Sequence, residues 1–344
     1  MIRCSTLPLR WLLLAGLLTG AGWSIAAENE SDPTRELRLQ FIKDRFADLT
    51  LRATSKPSAN SSSPTSTART ARDSSRGELV AQAEPLLRYT NPVGGLVSDA
   101  SLFVWKQDGL PVAACGLSLR YTDKGPTYWI EMTNLSGGPW ECLSVNKATP
   151  IWAPLSAGAA RTAFEKADAP NDKPASRLVA MRQLARRFEA SIYKEDRTAT
   201  ALRLMPQPLD RYRSAAAGVI DGALFAFVEA NDPELLLLIE AVEVADGNAK
   251  TGSAAGKKLE WQFTPARITS RELKLLCDQK DVFAAPNYWS GRRTINDTYV
   301  EFVGGPWEPP QAGSKLPAET ADKKSLSGKK AIEKQPATES KTAP

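Results

Sequence analysis

Histidine is absent from this chain of 344 residues. That removes imidazole acid–base catalysis, Ser-His-Asp and Cys-His nucleophile systems, and every histidine-ligated metal site. Carboxylates and lysines remain as catalytic groups, so enzyme chemistry is narrowed but not eliminated. Cysteine is nearly as scarce. Cys4 falls in the N-terminal leader, and Cys115, Cys142 and Cys277 are scattered without a CxxC pair. This spacing speaks against a zinc or iron–sulfur site, and neither metal nor cofactor is expected. An oxidising compartment would allow one disulfide. Cys115 and Cys142 are the preferred pair, being nearest in sequence and in one expected sheet; three reduced, buried thiols are the alternative.

A strong field of one sign is also missing. The formal charge is +5, but the leader carries +2 and the tail after Glu308 carries +3, so Glu28 to Glu308 is neutral. Dedicated nucleic-acid binding is therefore not expected. Gly94-Gly95 is not followed by Lys-Ser/Thr, so there is no phosphate loop. Asn231-Asp232-Pro233-Glu234 clusters oxygens, yet it lacks the alternating ligands and glycine of a calcium loop and reads as a tight turn.

Long apolar runs are confined to the leader. Arg3 and Arg10 precede the run from Trp11 to Gly22, and small residues follow, so residues 1–27 read as a secretory signal cleaved near Ala26 or Ala27. An uncleaved N-terminal membrane anchor is the alternative, since Trp11 to Ala27 reaches the lower limit for a span. The expected location is secreted, periplasmic or cell-envelope.

Beyond the leader, residues 28–53 predict an N-terminal helix. Asp32 suits the N-cap, Pro33 the first helical position, and Leu39, Ile42, Phe46 and Leu49 share one face. Residues 54–77 are rich in Ser, Thr, Pro and Arg, with almost no large apolar side chain, and read as a disordered linker. The Lys/Pro-rich tail 309–344 reads the same way, with a weak electrostatic attraction to anionic envelope polymers as its expected contact. Between them, residues 78–308 form the expected globular β-rich domain.

Within that domain the pattern predicts an α+β fold, mostly antiparallel β. Leu102–Trp105 and Val112–Leu119 flank the turn dipeptide Asp108-Gly109, and a second hairpin bends at Asn231-Asp232-Pro233. A connecting helix over 175–194, with Leu178, Met181, Leu184, Phe188 and Ile192 on one face, is expected to cover a sheet. Its Arg177, Arg182, Arg186 and Arg187 read as a solvated face or, alternatively, an anion-binding surface. Matches of Leu87-Arg88 with Leu202-Arg203, Leu102-Phe103 with Leu224-Phe225, and Glu131-Met132-Thr133 with Gln262-Phe263-Thr264 suggest an internal duplication. The pseudo-repeats run over about 85–156 and 201–280. The pentapeptide GGPWE occurs at Gly137 and Gly304, out of register with that repeat, and reads as two independent turns that fold a tryptophan onto a sheet.

The ordered motifs LLRYTNP…ASLFVWKQDGLPVA, SRLVAMRQLARRFEA, LRLMPQPLDRYR, GVIDGALFAFVEANDPELLLLIEA and LEWQFTPARITS resemble an uncharacterised secreted family common in planctomycete bacteria. The resemblance covers roughly Pro85 to Leu275. It implies export and a shared fold, and no known activity, cofactor or catalytic residue.

No catalytic residue is assigned from the sequence. The leading expectation is a non-enzymatic, envelope-associated binding or structural protein. The alternative is a histidine-independent glycoside hydrolase or polysaccharide-binding protein, which would draw on Glu131, Glu141, Glu240 and Glu301 with loop tryptophans Trp140, Trp152, Trp289 and Trp307. Ligand, partner and oligomeric state are not legible.

Overall fold

The computed structural model describes residues 34–54, 79–91, 97–136, 138–145, 147–156, 158–245 and 257–311. The leader with Ala26 and Ala27, the cap residues Asp32 and Pro33, and nearly all of the linker and tail lie outside the described residues. No helix among those described is long and apolar enough to cross a membrane.

The first unit comprises α1 (Arg35–Ala47), β1 (Leu49–Ala53), β2 (Leu79–Ala81), β3 (Leu87–Asn91), β4 (Val97–Gln107), β5 (Leu110–Thr122), β6 (Gly125–Asn134) and β7 (Trp140–Ser144). A short strand, β8 (Thr162–Ala163), precedes the second unit. That unit comprises α2 (Pro174–Ala185), β9 (Phe188–Tyr193), β10 (Ala199–Ala201), β11 (Arg203–Leu204), β12 (Asp210–Ser214), β13 (Val219–Glu229), β14 (Asp232–Ala245), β15 (Lys257–Arg267), β16 (Glu272–Cys277) and β17 (Lys280–Ala285). After a 3-10 turn at Tyr288–Ser290, β18 (Tyr299–Pro306) closes the chain.

The two units follow one plan. One six-stranded sheet runs β18-β6-β5-β4, with β2 and β3 both paired to β4. The other runs β8-β15-β14-β13, with β11 and β12 both paired to β13. The β4–β5 ladder is bulged between Val97 and Asp99 and between Trp105 and Lys106. The β13–β14 ladder is bulged at the corresponding places, between Val219 and Asp221 and between Phe227 and Val228. In each unit the helix leads into a strand that pairs with the strand following the sheet: β1 with β7, and β9 with β16.

Both predicted helices therefore end early. α1 stops at Ala47 and α2 at Ala185, and the residues assigned to their last turns are strands. Phe188 and Ile192 are four apart, which satisfies a helical stripe, but Phe188, Ala190 and Ile192 also alternate, and the buried positions of β9 follow that two-residue period. Pairing with β16 decides between the two. Nor is the first helix a separate N-terminal element: Ile42 and Phe46 are buried in the same core as β4 and β5.

The sheets pack face to face and each is covered again outside. Leu102, Val104, Leu224, Ala226, Leu236 and Leu238 fill the layer between them. Their neighbours Phe103, Trp105 and Leu117 point outward, under α1 and the β1–β7 pair. Phe225, Phe227, Leu235 and Leu237 do the same under α2 and the β9–β16 sheet. Burial on both faces explains why SLFVW and LLLLI are continuous apolar runs rather than alternating ones. Each such side chain is worth about 1.5–3 kcal/mol buried, so these three cores outweigh any single polar contact below.

Both expected hairpins form, although the second bends at Ala230-Asn231 rather than Asn231-Asp232-Pro233, since Asp232 and Pro233 already pair with Glu229 and Val228, and the hairpin tips cross between units. At the first, Asp108 and Gly109 have φ of 49° and 82°. A Cβ on Gly109 would lie 2.4 Å from the carbonyl oxygen of Arg213 on β12, so no other residue fits there. At the second tip, Asn91 on β3 donates from Nδ2 to Asp232 Oδ2 at 2.9 Å. Neither GGPWE tryptophan is exposed: Trp140 and Trp307 enter the same outer core. Gly304 belongs to a bulge of β18, where the ring of Tyr128 lies 2.0 Å from the place of a Cβ.

Cys115, Cys142 and Cys277 are all buried free thiols. Cys115 and Cys142, the expected disulfide pair, share the outer core of the first unit. Burial, with smaller contributions from Cys142 and Glu131, pushes the Cys115 thiol well up, and burial alone pushes Cys142 up to about 12. Neither is a ready nucleophile.

Candidate functional site

Four glutamates were singled out by their places in or beside strands, and the fold brings two of them together. Glu131 on β6 stands directly opposite Glu301 on β18. Arg120 on β5 spans both, donating from Nη2 to Glu131 Oε1 at 3.1 Å and from Nη1 to Glu301 Oε1 at 2.9 Å. Its third edge donates to Ser118 Oγ at 2.9 Å, and the guanidinium lies 4.6 Å from the Trp129 ring centroid. The remaining oxygen of Glu301, Oε2, is buried without a charged or neutral donor among the described residues. Burial first, and then the facing Glu301 carboxylate, push the Glu131 carboxyl well above its ordinary range. The side-chain hydrogen bond between the two carboxyls adds to that rise.

Two more carboxylates from the second unit, Asp232 and Glu234, line the same cleft, and a third, Glu229, is tied to its Arg271. Asp232 and Glu234 begin β14 and Glu229 ends β13. Burial raises Asp232 to about 6, against the hydrogen bond from Asn91 and the charges of Arg120 and Arg271. Burial and the Asp232 charge raise Glu234 to about 8, against Thr269 and Arg271. Arg271 donates from Nη1 to Glu229 Oε2 at 2.5 Å and lies 3.9 Å from Glu234. Two arginines thus serve five carboxyls, and Glu131, Asp232 and Glu234 hold their protons more tightly than free carboxyls do. The cleft holds about 160 Å³. Arg267 flanks it, and its guanidinium is spent on the carbonyls of Thr269, Arg271 and Pro286, which fixes the loop after β15.

The other two glutamates lie elsewhere. Glu141 on β7 pairs with Arg52 on β1 at the surface. Glu240 on β14 is fully buried, accepts from the Tyr212 hydroxyl at 3.0 Å, and pairs with Arg161 at 2.8 Å. Among the described residues, no group of three or more Cys, Asp or Glu is placed to hold a metal ion. The four helix arginines also separate. Arg177 is buried against Asp221, Arg187 pairs with Asp278, and Arg182 bonds Gln207.

A second concavity lies on the outer side of β18, where Val300 and Phe302 face. It is built from segments outside the repeated plan: Lys147, Thr149 and Ile151 after β7, and Tyr288, Arg293 and Ile295 before β18. Its volume is about 540 Å³, within the range of small-molecule sites. Lys147 and Arg293 have no anionic partner among the described residues. Arg293 stacks on Trp289 at 4.3 Å from the ring centroid. Trp289 is 43% exposed, whereas Trp140, Trp152 and Trp307 are core residues. Of the four loop tryptophans, then, only Trp289 is exposed, with its ring also meeting Trp129 and Tyr288 edge-on.

A third feature was missed from sequence. Asp99 in β4 and Asp221 in β13 are each clamped by two arginines in one geometry. Arg88 gives Nε to Asp99 Oδ1 at 2.9 Å and Nη2 to Oδ2 at 2.5 Å, and Arg38 of α1 adds Nε at 3.0 Å. Arg211 gives the same two bonds to Asp221 at 2.9 and 2.7 Å, and Arg177 of α2 adds Nε at 2.8 Å. Burial pushes Asp221 up, but the bonds from Arg211 and Arg177 outweigh it and hold its carboxyl below the usual range. The signal lay in Arg88-Tyr89 against Arg211-Tyr212 and in DASLF against DGALF. Matching Arg88 to Arg203 hid it: by strand pairing, Arg88 corresponds to Arg211.

No protein-family model, curated protein or solved structure matches the chain.

Proposed function

We propose that this is an exported, non-enzymatic binding protein that holds an acidic polysaccharide of the cell envelope in the groove beside β18. The observation that carries the reading is the open groove of about 540 Å³ lined by Lys147 and Arg293, two cations without an anionic partner among the described residues, with the exposed Trp289 stacked on Arg293. An aromatic face suits the C–H face of a sugar ring, and the cations suit its carboxylates. The secretory leader supports export, as does the resemblance to a secreted family. The lysine-rich tail would add a weak attraction that salt screens. On the same reading, the two units are copies of one ancestral helix-and-sheet unit, supported by their common strand order, bulges and aspartate clamps. The groove-forming segments are additions outside that unit.

The adjacency of Glu131 and Glu301 favours a second reading, a carboxylate glycosidase. We set it aside because both carboxyls are tied to one guanidinium between stacked sheets. Their cleft of about 160 Å³ is below the usual 300–1,000 Å³ of ligand sites. The test is binding of the mature chain to a soluble polyuronate and to envelope polysaccharide. Trp289→Ala and Arg293→Ala should each weaken binding about two- to tenfold at unchanged melting temperature, given aromatic contacts worth ~0.5–1.5 kcal/mol. Absent binding, or affinity unchanged in both variants, overturns the reading; release of reducing sugar that Glu131→Gln abolishes would restore the glycosidase.

A further inference from the structure

The two aspartate clamps differ in one place. In the first unit, Arg88 also donates from Nη1 to the carboxylate of Glu36, in the first turn of α1, at 3.2 Å, and from Nη2 to the Arg35 carbonyl at 2.5 Å. In the second unit, Arg211 donates from Nη2 to the Pro174 carbonyl at 2.7 Å, and Pro174 opens α2 as Arg35 opens α1. The residue that follows Pro174 is Ala175, where the first unit has Glu36. Arg211 Nη1 is accordingly left without a partner among the described residues. Its side chain is 35% exposed, against 15% for Arg88.

Where the carboxylate is missing there is a cleft of about 510 Å³. Its walls include Lys106, Arg177, Arg211, Arg213 and Asp221, with Ile220 as an apolar side. Lys106 pairs with Asp210 at 2.7 Å, and both Arg177 and Arg211 with Asp221. Arg213 is exposed and makes no ion pair among the described residues. Four cations therefore meet two carboxylates, leaving an excess of two positive charges around the cleft. We propose that this cleft binds a small organic carboxylate, whose carboxylate group takes on Arg211 the place that Glu36 takes on Arg88, with Arg213 and Lys106 closing over it. The cleft is larger than one carboxylate, which suits an acid with a short carbon chain lying against Ile220.

The experiment uses the mature full chain and succinate as probe, with neutral succinamide as control, at constant ionic strength. Calorimetric titration and thermal unfolding should show saturable succinate binding with a rise in melting temperature, and no response to succinamide. Ala175→Glu installs the first unit's carboxylate at an exposed position. It should raise the melting temperature without ligand and weaken succinate binding about tenfold or more, as expected for replacing one charge-assisted contact. Arg213→Ala, whose exposed side chain makes no ion pair among the described residues, should weaken it about two- to tenfold with the fold intact. Glu36→Ala should create a second, weaker succinate response. No saturable binding by the wild type, equal binding of succinamide, or undiminished binding in both Ala175→Glu and Arg213→Ala would overturn the proposal.

Discussion

Replacing Glu234 by glutamine should stabilise this protein at pH 8 and flatten its loss of stability above pH 5. The Glu234 carboxyl is 4% exposed, near Arg271 at 3.9 Å, and raised from an ordinary 4.5 to about 8. Below pH 4.5 it is protonated whether the chain is folded or not. Between 4.5 and 8 the folded protein keeps a proton that the unfolded chain has released. The folded state then binds more protons, so stability falls as pH rises, by up to about 1.36 kcal/mol per pH unit, and levels off above 8. Across the window the loss approaches ~5 kcal/mol for this one group, large against the ~5–15 kcal/mol of a typical domain. Asp232, raised from 3.8 to about 6, adds a smaller loss of about 3 kcal/mol over that narrower window. The two are not additive, because each charge raises the other. Glu234→Gln keeps the shape and removes the titration; Arg271 retains Glu229. Urea unfolding followed from pH 5 to 9 should give the wild type a downward slope that the variant loses in large part, with the remainder belonging to Glu131 and Asp232. Parallel slopes in the two proteins would refute the reasoning, as would a flat wild type.

Two further outcomes follow from the packing. Asp99→Ala and Asp221→Ala should each cost about 3–5 kcal/mol in denaturant unfolding, because each leaves two guanidiniums facing one another without their shared counter-charge; a cost under about 1 kcal/mol in both would show that the clamps are solvated. Cys115, Cys142 and Cys277 should resist maleimide in the native state, being buried, and mass spectrometry after unfolding should count three labels; a single label would mean that Cys115 and Cys142 are oxidised together.

The Glu131–Glu301 pair shows how far the sequence could reach. Each residue stands out alone as an acid in an apolar strand, but 170 positions separate them. Their contact depends on β18 returning to pair with β6 rather than adding to the second unit. Asp232 illustrates the reverse. Read as part of the turn, it instead opens β14 opposite Glu229, after the two-residue turn Ala230-Asn231, and nothing local says that it lies beside Asn91 of the other unit.

Local chemistry by itself determined the hairpins, because Asp108-Gly109 can take positive φ and the flanking runs are long, apolar and β-prone. It also determined the absence of imidazole chemistry, since no fold can supply a missing residue type. The tertiary structure decided where the helices end, because Phe188 to Ile192 satisfies both periods and the partner strand β16 selects one. It decided which arginines are buried ion-pair partners and which face solvent, since Arg177 and Arg213 differ by their surroundings and not by type. It also decided that two units of like strand order carry unlike clefts, an acidic one lined by Glu131, Asp232, Glu234 and Glu301 and a cationic one lined by Lys106, Arg177, Arg211 and Arg213. Charges so placed interact through space, and sequence distance carries no information about that.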